Sequence, residues 1–456
     1  MKNFIGVIFC ILSVTLIGCN KHSDNDINTT IVELNEEELS IIAKEQTENL
    51  LTGNYNEVVK LFTPEMKKGF DEATLKTTVE SITGSLGKHI GFYSEVDNIV
   101  DQNYVAEIVH EYENNGLIVT IAFNNKKEIS GLYLNYVPIN QTLASNELFE
   151  EVSVKIGDTM PLDAILTLPK DISNPPVVLM VHGSGPNDKN STVYQNAPFK
   201  DIAHGLASEG IATLRYDKRT FVYPNEMAEL GADVTIREEV LDDVTLAIDL
   251  LKNDTRINPS SIFILGHSLG GGLTPVIAVE NQGIAGIISI AGTLEPVYEV
   301  SYAQNKDMET YIETIELEES IENQFKAQMK QVEKDIEILR ADFSDVPNDE
   351  ILLGIHAGYQ KSAKELAGIN FINDVDVPIL VLQGSADFQI KSDTDFKLWK
   401  EVLKDKENVT FNLYDNLNHL MMPTSGAKDI TDYQAKSSVS EQVIDDIALF
   451  VSENVN

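Results

Sequence analysis

The stretch Ile262-Phe263-Ile264-Leu265-Gly266-His267-Ser268-Leu269-Gly270-Gly271-Gly272 decides the fold. Four apolar residues in a row, with no polar alternation, predict a strand buried on both faces of a sheet. Gly266-His267-Ser268-Leu269-Gly270 is a G-x-S-x-G, and the small residues through Ala278 predict a helix lying close to that sheet. Strand, sharp turn, serine and helix are the context an exposed serine nucleophile needs. The turn holds the serine in strained backbone geometry, and side chains at the flanking glycines would meet the neighbouring strand or helix. The helix start aims free N–H groups and its positive dipole end at developing negative charge.

Working outward, strands and helices alternate on both sides of this stretch. Val152–Ile156 and Leu162–Leu168 predict an opening antiparallel pair. Val177-Val178-Leu179-Met180-Val181, introduced by Pro175-Pro176, is a second fully apolar run and ends in His182-Gly183-Ser184-Gly185-Pro186. Ile211–Tyr216, Ile284–Ala291, Val377–Leu382 and Val409–Tyr414 continue the series, with helical patterns over Phe199–Ser208, Arg237–Leu251, Phe396–Leu403 and Ser440–Val451. Such alternation predicts an α/β domain with a mostly parallel sheet over residues 145–456. Pro296 to about Gly368 breaks the rhythm. It is acidic, poor in Gly and Pro, and helical in pattern, with one or two helices expected over Thr310–Arg340. We read residues 296–368 as a helical cap insertion.

Residues 33–140 read as a separate small α+β domain. Helical patterns run from Glu33 to about Glu80, broken at Thr52-Gly53-Asn54. Strand patterns follow over Val105–Tyr112, Leu117–Phe123 and Ile129–Tyr136, with Asn114-Asn115-Gly116 as a hairpin signal. This region resembles the domain of unknown function that precedes hydrolase domains in some bacterial secreted proteins, through Leu86-Gly87 and Gly91-Phe92.

The N-terminus reads as an address. Met1-Lys2-Asn3 is followed by an apolar run over Phe4–Ile17, too short for a comfortable membrane span, and then by Leu16-Ile17-Gly18-Cys19 and polar residues. It resembles a bacterial lipoprotein signal peptide over residues 1–18. The resemblance implies cleavage before Cys19, lipidation of the Cys19 thiol, and a tether over 19–32 on the extracytoplasmic side of the cell membrane.

Composition narrows the function classes. The chain of 456 residues carries 72 acidic against 34 basic residues, a formal net charge of −38. Phosphate contacts need clustered Lys and Arg, so nucleic acid is not an expected partner. The two cysteines, Cys10 and Cys19, both lie near the N-terminus, and no Cys or His pattern predicts a metal or cofactor site.

A serine hydroxyl needs a base, and the base needs an anion to fix its tautomer. Of the eight histidines, His22 falls in the tether, His89 and His110 in the small domain, His182 and His267 inside glycine-rich turns, His204 on a helix and His356 in the cap. His419 alone follows a late sheet strand, in Leu417-Asn418-His419. Asp387 ends a strand in Gln383-Gly384-Ser385-Ala386-Asp387, on the same sheet edge as Ser268, with Asp393, Asp395 and Glu295 as other candidate acids.

These motifs together resemble the bacterial esterase and serine-aminopeptidase-like branch of the α/β-hydrolases, nearest to carboxylesterases of the D type that carry a small domain in front. The order Ser268, Asp387, His419 is that family's triad order. The resemblance implies an oxyanion hole formed by the N–H groups of Ser184, with Gly185 as its neighbouring alternative, and Leu269. Asp217-Lys218-Arg219 also matches a family feature, read here as loop anchoring; Thr220 stands where relatives often have Gly. The expected activity is hydrolysis of small carboxylic esters through an acyl-enzyme. Peptide or amide cleavage by the same residues stays open, as does a catalytically silent envelope-binding protein on the same fold.

Overall fold

The computed structural model describes residues 36–84, 86–100, 103–112, 116–137, 143–314 and 319–455. The lipobox cysteine Cys19, the signal and tether segments, and Asn114-Asn115 lie outside them. Among the described residues no helix is long and apolar enough to cross a membrane. The chain divides into two compact units, with the break between residues 142 and 143.

The first unit stacks four helices, Glu36–Leu51, Tyr55–Lys60, Pro64–Gly69 and Glu72–Thr83, and a four-stranded sheet in sequential order. Its strands are β1 (His89–Val100), β2 (Asn103–Tyr112), β3 (Gly116–Phe123) and β4 (Ile129–Val137). Every neighbouring pair is antiparallel. Leu39, Ala43 and Leu50 of the first helix meet Tyr104, Ala106 and Ile108 of β2 and Leu117, Val119 and Ile121 of β3 in one core. Two of the helix starts are capped by side chains: Thr63 Oγ1 accepts from Met66 N, and Asp71 Oδ1 from Thr74 N. The sequence pattern does not announce β1. Two register shifts, between His89 and Gly91 and between Phe92 and Ser94, break its period, and Ile90, Phe92 and Val96 are exposed.

The second unit is built on an eight-stranded sheet. Its strands are β5 (Phe149–Ile156), β6 (Leu162–Pro169), β7 (Val177–Val181), β8 (Ala212–Tyr216), β9 (Ile262–His267) and β10 (Ile284–Ile290). A two-residue pair, β11 (Ile351–Leu352) and β12 (Ile355–His356), stands apart, and β13 (Ile379–Gly384) and β14 (Val409–Tyr414) complete the sheet. The order is β14-β13-β10-β9-β7-β8-β6-β5. The first two pairings, β5 with β6 and β6 with β8, are antiparallel, and the rest are parallel. The apolar runs are explained by this position. In β7, Val177, Leu179 and Val181 enter one core and Val178 and Met180 the other; β9 divides Ile262 and Ile264 from Phe263 and Leu265 in the same way. One face packs on helices Asp242–Lys252 and Leu269–Glu280, the other on Pro198–Ser208 and Glu441–Glu453. Each fully buried Leu, Ile, Val or Phe contributes about 1.5–3 kcal/mol.

The insertion between β10 and β13 departs from the expected helical pattern in detail. It holds the helices Val297–Ile312, Glu319–Arg340 and Ala357–Glu365, and between the last two lies the β11–β12 pair, which helical periodicity does not reveal. Its first helix is tied to the loop after β13: Gln304 Nε2 donates to Gln389 O at 3.3 Å, and Lys391 pairs with Asp307 at 2.5 Å. The helix expected from Arg237 begins instead as a π-wound turn, Arg237–Leu241, before the α-helix Asp242–Lys252. Wider turns of this kind often mark functional positions, and this one turns Glu239 into the interior.

Candidate active site

Parallel strands leave their C-terminal ends on one edge, where open α/β sheets bind ligands. Ser268 follows β9, the His182-Gly183 turn follows β7, Asp387 follows β13, and His419 follows β14. A surface hollow lined by Asn174, Lys252, Asp254 and Asn258 lies at the opposite edge, before β7 and β9, away from these residues.

Ser268 has φ 55° and ψ −119°, a conformation that costs a non-glycine residue about 1–3 kcal/mol. Its N–H donates to Ile290 O at 2.9 Å, and its carbonyl accepts from Gly272 N at 3.0 Å. The glycines on either side are a steric necessity. A Cβ on Gly266 would lie 2.1 Å from Gly270 O, and one on Gly270 would lie 2.5 Å from the carbonyl oxygens of Val181 and His182. The helix Leu269–Glu280 thus starts against the end of β7, and as its first residue Leu269 has an N–H with no intrahelical acceptor. Among the described residues Ser268 Oγ has no hydrogen-bond partner, nor does His419 Nε2.

Asp387 and His419 are joined directly. His419 Nδ1 donates to Asp387 Oδ2 at 2.7 Å, and both side chains are buried. The rest of the carboxylate is also satisfied: Oδ1 accepts from Gln389 N at 2.8 Å and Ile390 N at 3.0 Å, and Oδ2 accepts from Gln383 Nε2 at 3.0 Å. An acceptor-only carboxylate on Nδ1 leaves Nε2 as the lone-pair nitrogen. The other candidate acids are engaged elsewhere or stand apart. Asp395 Oδ2 accepts from Lys391 N and Thr394 Oγ1, and among the described residues the carboxylate paired with His419 is that of Asp387.

Several further groups hold the loops around these residues. His267 Nε2 donates to His419 O at 2.9 Å. Burial, followed by the neighbouring His419, pushes the His267 imidazole down to about 3, so it stays neutral. His182 is treated alike. It donates from Nε2 to Tyr216 O at 2.6 Å, and burial pushes it down to about 3. Asn418 organises the histidine loop from within: its Oδ1 accepts from Leu420 N and Met422 N, and its Nδ2 donates to buried Asp432 Oδ2 at 2.7 Å. Only the motif positions of His182, His267 and Asn418 hinted at these roles, and nothing near Asp432 did.

The Asp217-Lys218-Arg219 cluster is an anchor, as expected. Lys218 is buried, donating to Gly183 O at 2.7 Å and to Glu239 Oε1 at 2.5 Å, while Tyr359 donates to the other Glu239 oxygen. Arg219 pairs with Asp243, and Asp217 with Lys189. Among the described residues no group of three or more His, Cys, Asp or Glu side chains is arranged to hold a metal ion.

Comparison with known proteins shows the family. Residues 43–132 match a family described as a protein of unknown function, DUF3887. Esterase EstD of Thermotoga maritima is 29% identical over 408 residues, covering 88% of this chain and 92% of its own. Among solved structures, an acylaminoacyl peptidase of Pyrococcus horikoshii is 15% identical over 80% of this chain and 56% of its own, with a TM-score of 0.45. Est1E from Butyrivibrio proteoclasticus is 16% identical over 66% of this chain and 98% of its own, with a TM-score of 0.41. Residues 175–423, more than half of the chain, match the family model described as serine aminopeptidase, S33, and the chain belongs to that family of α/β-fold hydrolases.

Proposed function

We propose that this hydrolase is a serine esterase acting on small carboxylic esters with short to medium acyl chains. Ser268 is the nucleophile, His419 the general base and acid, and Asp387 the carboxylate that orients it. The observation that carries the reading is the 2.7 Å bond from His419 Nδ1 to Asp387, on the same sheet edge as the turned-out Ser268.

The geometry supports a two-step acyl transfer. His419 Nε2 takes the Ser268 hydroxyl proton as Oγ attacks the ester carbonyl carbon. The resulting oxyanion is held by the N–H groups of Ser184 and Leu269, each such donor being worth about 3 kcal/mol of transition-state stabilisation. The tetrahedral intermediate collapses, and the leaving alkoxide takes the proton from Nε2. Water then attacks the acyl-enzyme with His419 again as base, releasing the acid and restoring Ser268. Catalytic hydrogen bonds often tighten only once substrate is present, in keeping with an unbonded Ser268 Oγ. The insertion over residues 296–368 is proposed to wall the acyl and alcohol pockets.

The test is hydrolysis of a p-nitrophenyl ester series, acetyl to palmitoyl, by the wild-type protein and its Ser268→Ala variant. Activity confined to short and medium chains and lost in the variant is expected. Hydrolysis that survived the substitution would overturn the proposal, and no hydrolysis together with no fluorophosphonate labelling would favour the silent binding protein.

The family description favours one other reading, cleavage of a peptide or amide bond by the same three residues. Aminoacyl p-nitroanilides turned over faster than esters would establish it. We further propose that Cys19 is lipidated and holds the protein on the outer side of the cell membrane. Incorporation of an alkynyl fatty acid that Cys19→Ala abolishes is expected; equal labelling of both proteins would exclude it.

A further inference from the structure

The loop that follows β7 is held from its carbonyl side. Asn187 Nδ2 lies 3.1 Å from Ser184 O, 3.0 Å from Gly185 O and 3.4 Å from Gly183 O. Lys218 Nζ donates to Gly183 O at 2.7 Å, and Thr220 Oγ1 to Gly185 O at 3.3 Å. Three consecutive carbonyls are thus drawn toward one side. Asn187 is itself fixed, because its own carbonyl accepts from Lys218 N at 3.0 Å. Two residues on, Lys189 N donates to Asp217 Oδ1 at 2.7 Å. The segments 187–189 and 217–218 are therefore zipped together.

Peptide planarity turns this into a statement about donors. In a trans peptide the C=O of one residue and the N–H of the next point in opposite directions. Holding Gly183 O on Lys218 and Asn187 fixes the Ser184 N–H on the far side, and holding Ser184 O on Asn187 does the same for the Gly185 N–H. Among the described residues neither N–H has an acceptor. The loop also touches the nucleophile: a Cβ on Gly183 would lie 3.0 Å from Ser268 Cβ and 3.6 Å from Ser268 Oγ.

We propose that Asn187 is a positioning residue for the oxyanion hole, its side-chain amide fixing the peptide planes of Gly183, Ser184 and Gly185 so that the Ser184 N–H faces the reacting carbonyl. This rests on the reading of Ser268 and Ser184 given above and adds a role outside the triad and its donors. Asn187 touches no substrate; it acts through the backbone. An amide is suited to the task because its two N–H groups serve adjacent carbonyls, and a carboxylate of the same shape would repel them.

The experiment compares full-length wild type with Asn187→Asp, Asn187→Ala and Ser268→Ala. It measures kcat and KM on a p-nitrophenyl ester, affinity for an alkyl trifluoromethyl ketone, whose adduct places an oxyanion in the hole, and thermal unfolding. In both Asn187 variants kcat is expected to fall about 10- to 100-fold, with KM changed less than about threefold. Ketone affinity falls in step with kcat, and the melting temperature holds within a few degrees. An Asn187→Asp protein with wild-type kcat overturns the inference. So does a loss of rate that leaves ketone affinity unchanged or merely follows a collapse in melting temperature. If ester hydrolysis survives Ser268→Ala, the underlying reading fails and takes the inference with it. If hydrolysis depends on Ser268 while the Asn187 variants match wild type, the inference alone is lost.

Discussion

His267 donates from Nε2 to the backbone carbonyl of His419 at 2.9 Å, across 152 residues of chain. The two rings lie with centroids 4.6 Å apart. The residue beside Ser268 therefore holds the peptide of the histidine carried by the loop after β14. Replacing His267 by Phe keeps the ring volume and leaves that buried carbonyl without its donor. We expect a loss of about 1–3 kcal/mol in stability and a kcat lowered about tenfold as His419 loosens. Chemical denaturation and steady-state kinetics measure the two effects separately. Because His267 is held down at about 3, its own protonation should leave no mark on the rate profile above pH 4.

Asp387 accepts a hydrogen bond from His419 Nδ1 while three other donors hold its two oxygens. Asp387→Asn keeps the shape but offers an N–H where an acceptor is required, favouring the wrong imidazole tautomer. On the proposed mechanism kcat should fall about 10⁴-fold, and fluorophosphonate labelling of Ser268 should slow with it. Wild-type labelling in this variant would mean that Asp387 does not orient the base.

Glu151 is the anchor at the other end of the sheet. Its Oε1 accepts from Arg215 at 2.5 Å and His204 at 2.7 Å, and its Oε2 from Ala144 N at 2.7 Å. Burial alone would raise its pKa, but the His204 hydrogen bond and the Arg215 charge outweigh it and hold the carboxyl at about 2. A carboxyl depressed by folding stabilises the fold above its ordinary value of 4.5, and that contribution is lost as pH falls toward 2. The melting temperature should drop through this window. Glu151→Gln should flatten the drop and, by leaving Arg215 buried without its partner, destabilise the protein by about 3 kcal/mol at neutral pH. Thermal unfolding from pH 7 to 2.5 tests both statements.

In the small unit, His89 Nε2 and His110 Nδ1 lie 2.9 Å apart, beside the ring of Tyr112. Burial, then the neighbouring His89, pushes His110 down to about 4 from an ordinary 6.5. Between these values the unfolded chain binds a proton that the folded one refuses, so stability rises with pH there and falls on acidification from 6.5 to 4. Protection factors of the β2 amides in the full chain, which divide out the intrinsic pH dependence of exchange, should fall between pH 7 and 5. His110→Gln should reduce that fall; an unchanged slope would show that His110 does not set it.

Much of this was legible in the chain. The Ile262–Gly272 stretch announces itself because a strand buried on two faces must be apolar at every position, and because the Gly266 and Gly270 positions have no room for a Cβ. Ser268, Asp387 and His419 could be selected because each follows a recognisable strand, and parallel strands end on one edge. The clamps were not legible. Asp432 meets Asn418 through the folding of a loop, Gln383, read in the Asp387 motif without a role of its own, reaches Asp387 from the end of β13, and Lys218 finds Glu239 on a π-wound turn that looks like ordinary helix. The strand β1 escaped notice because its bulges break the alternation that would identify it, and β11–β12 because two residues carry no period.

The position of β14 has a consequence for synthesis. It is one of the two edge strands of the sheet, and the loop after it brings His419 to the site only once all the other strands of the sheet have been made. Ser268 and strands β7, β9 and β10 all precede it in the chain, so on the proposed mechanism the nucleophile waits for its base until this last strand pairs with β13. On the proposed mechanism, a chain built from its N-terminus therefore carries Ser268 without its base over the 151 residues from Ser268 to His419, and truncation anywhere before residue 419 leaves it without one for good.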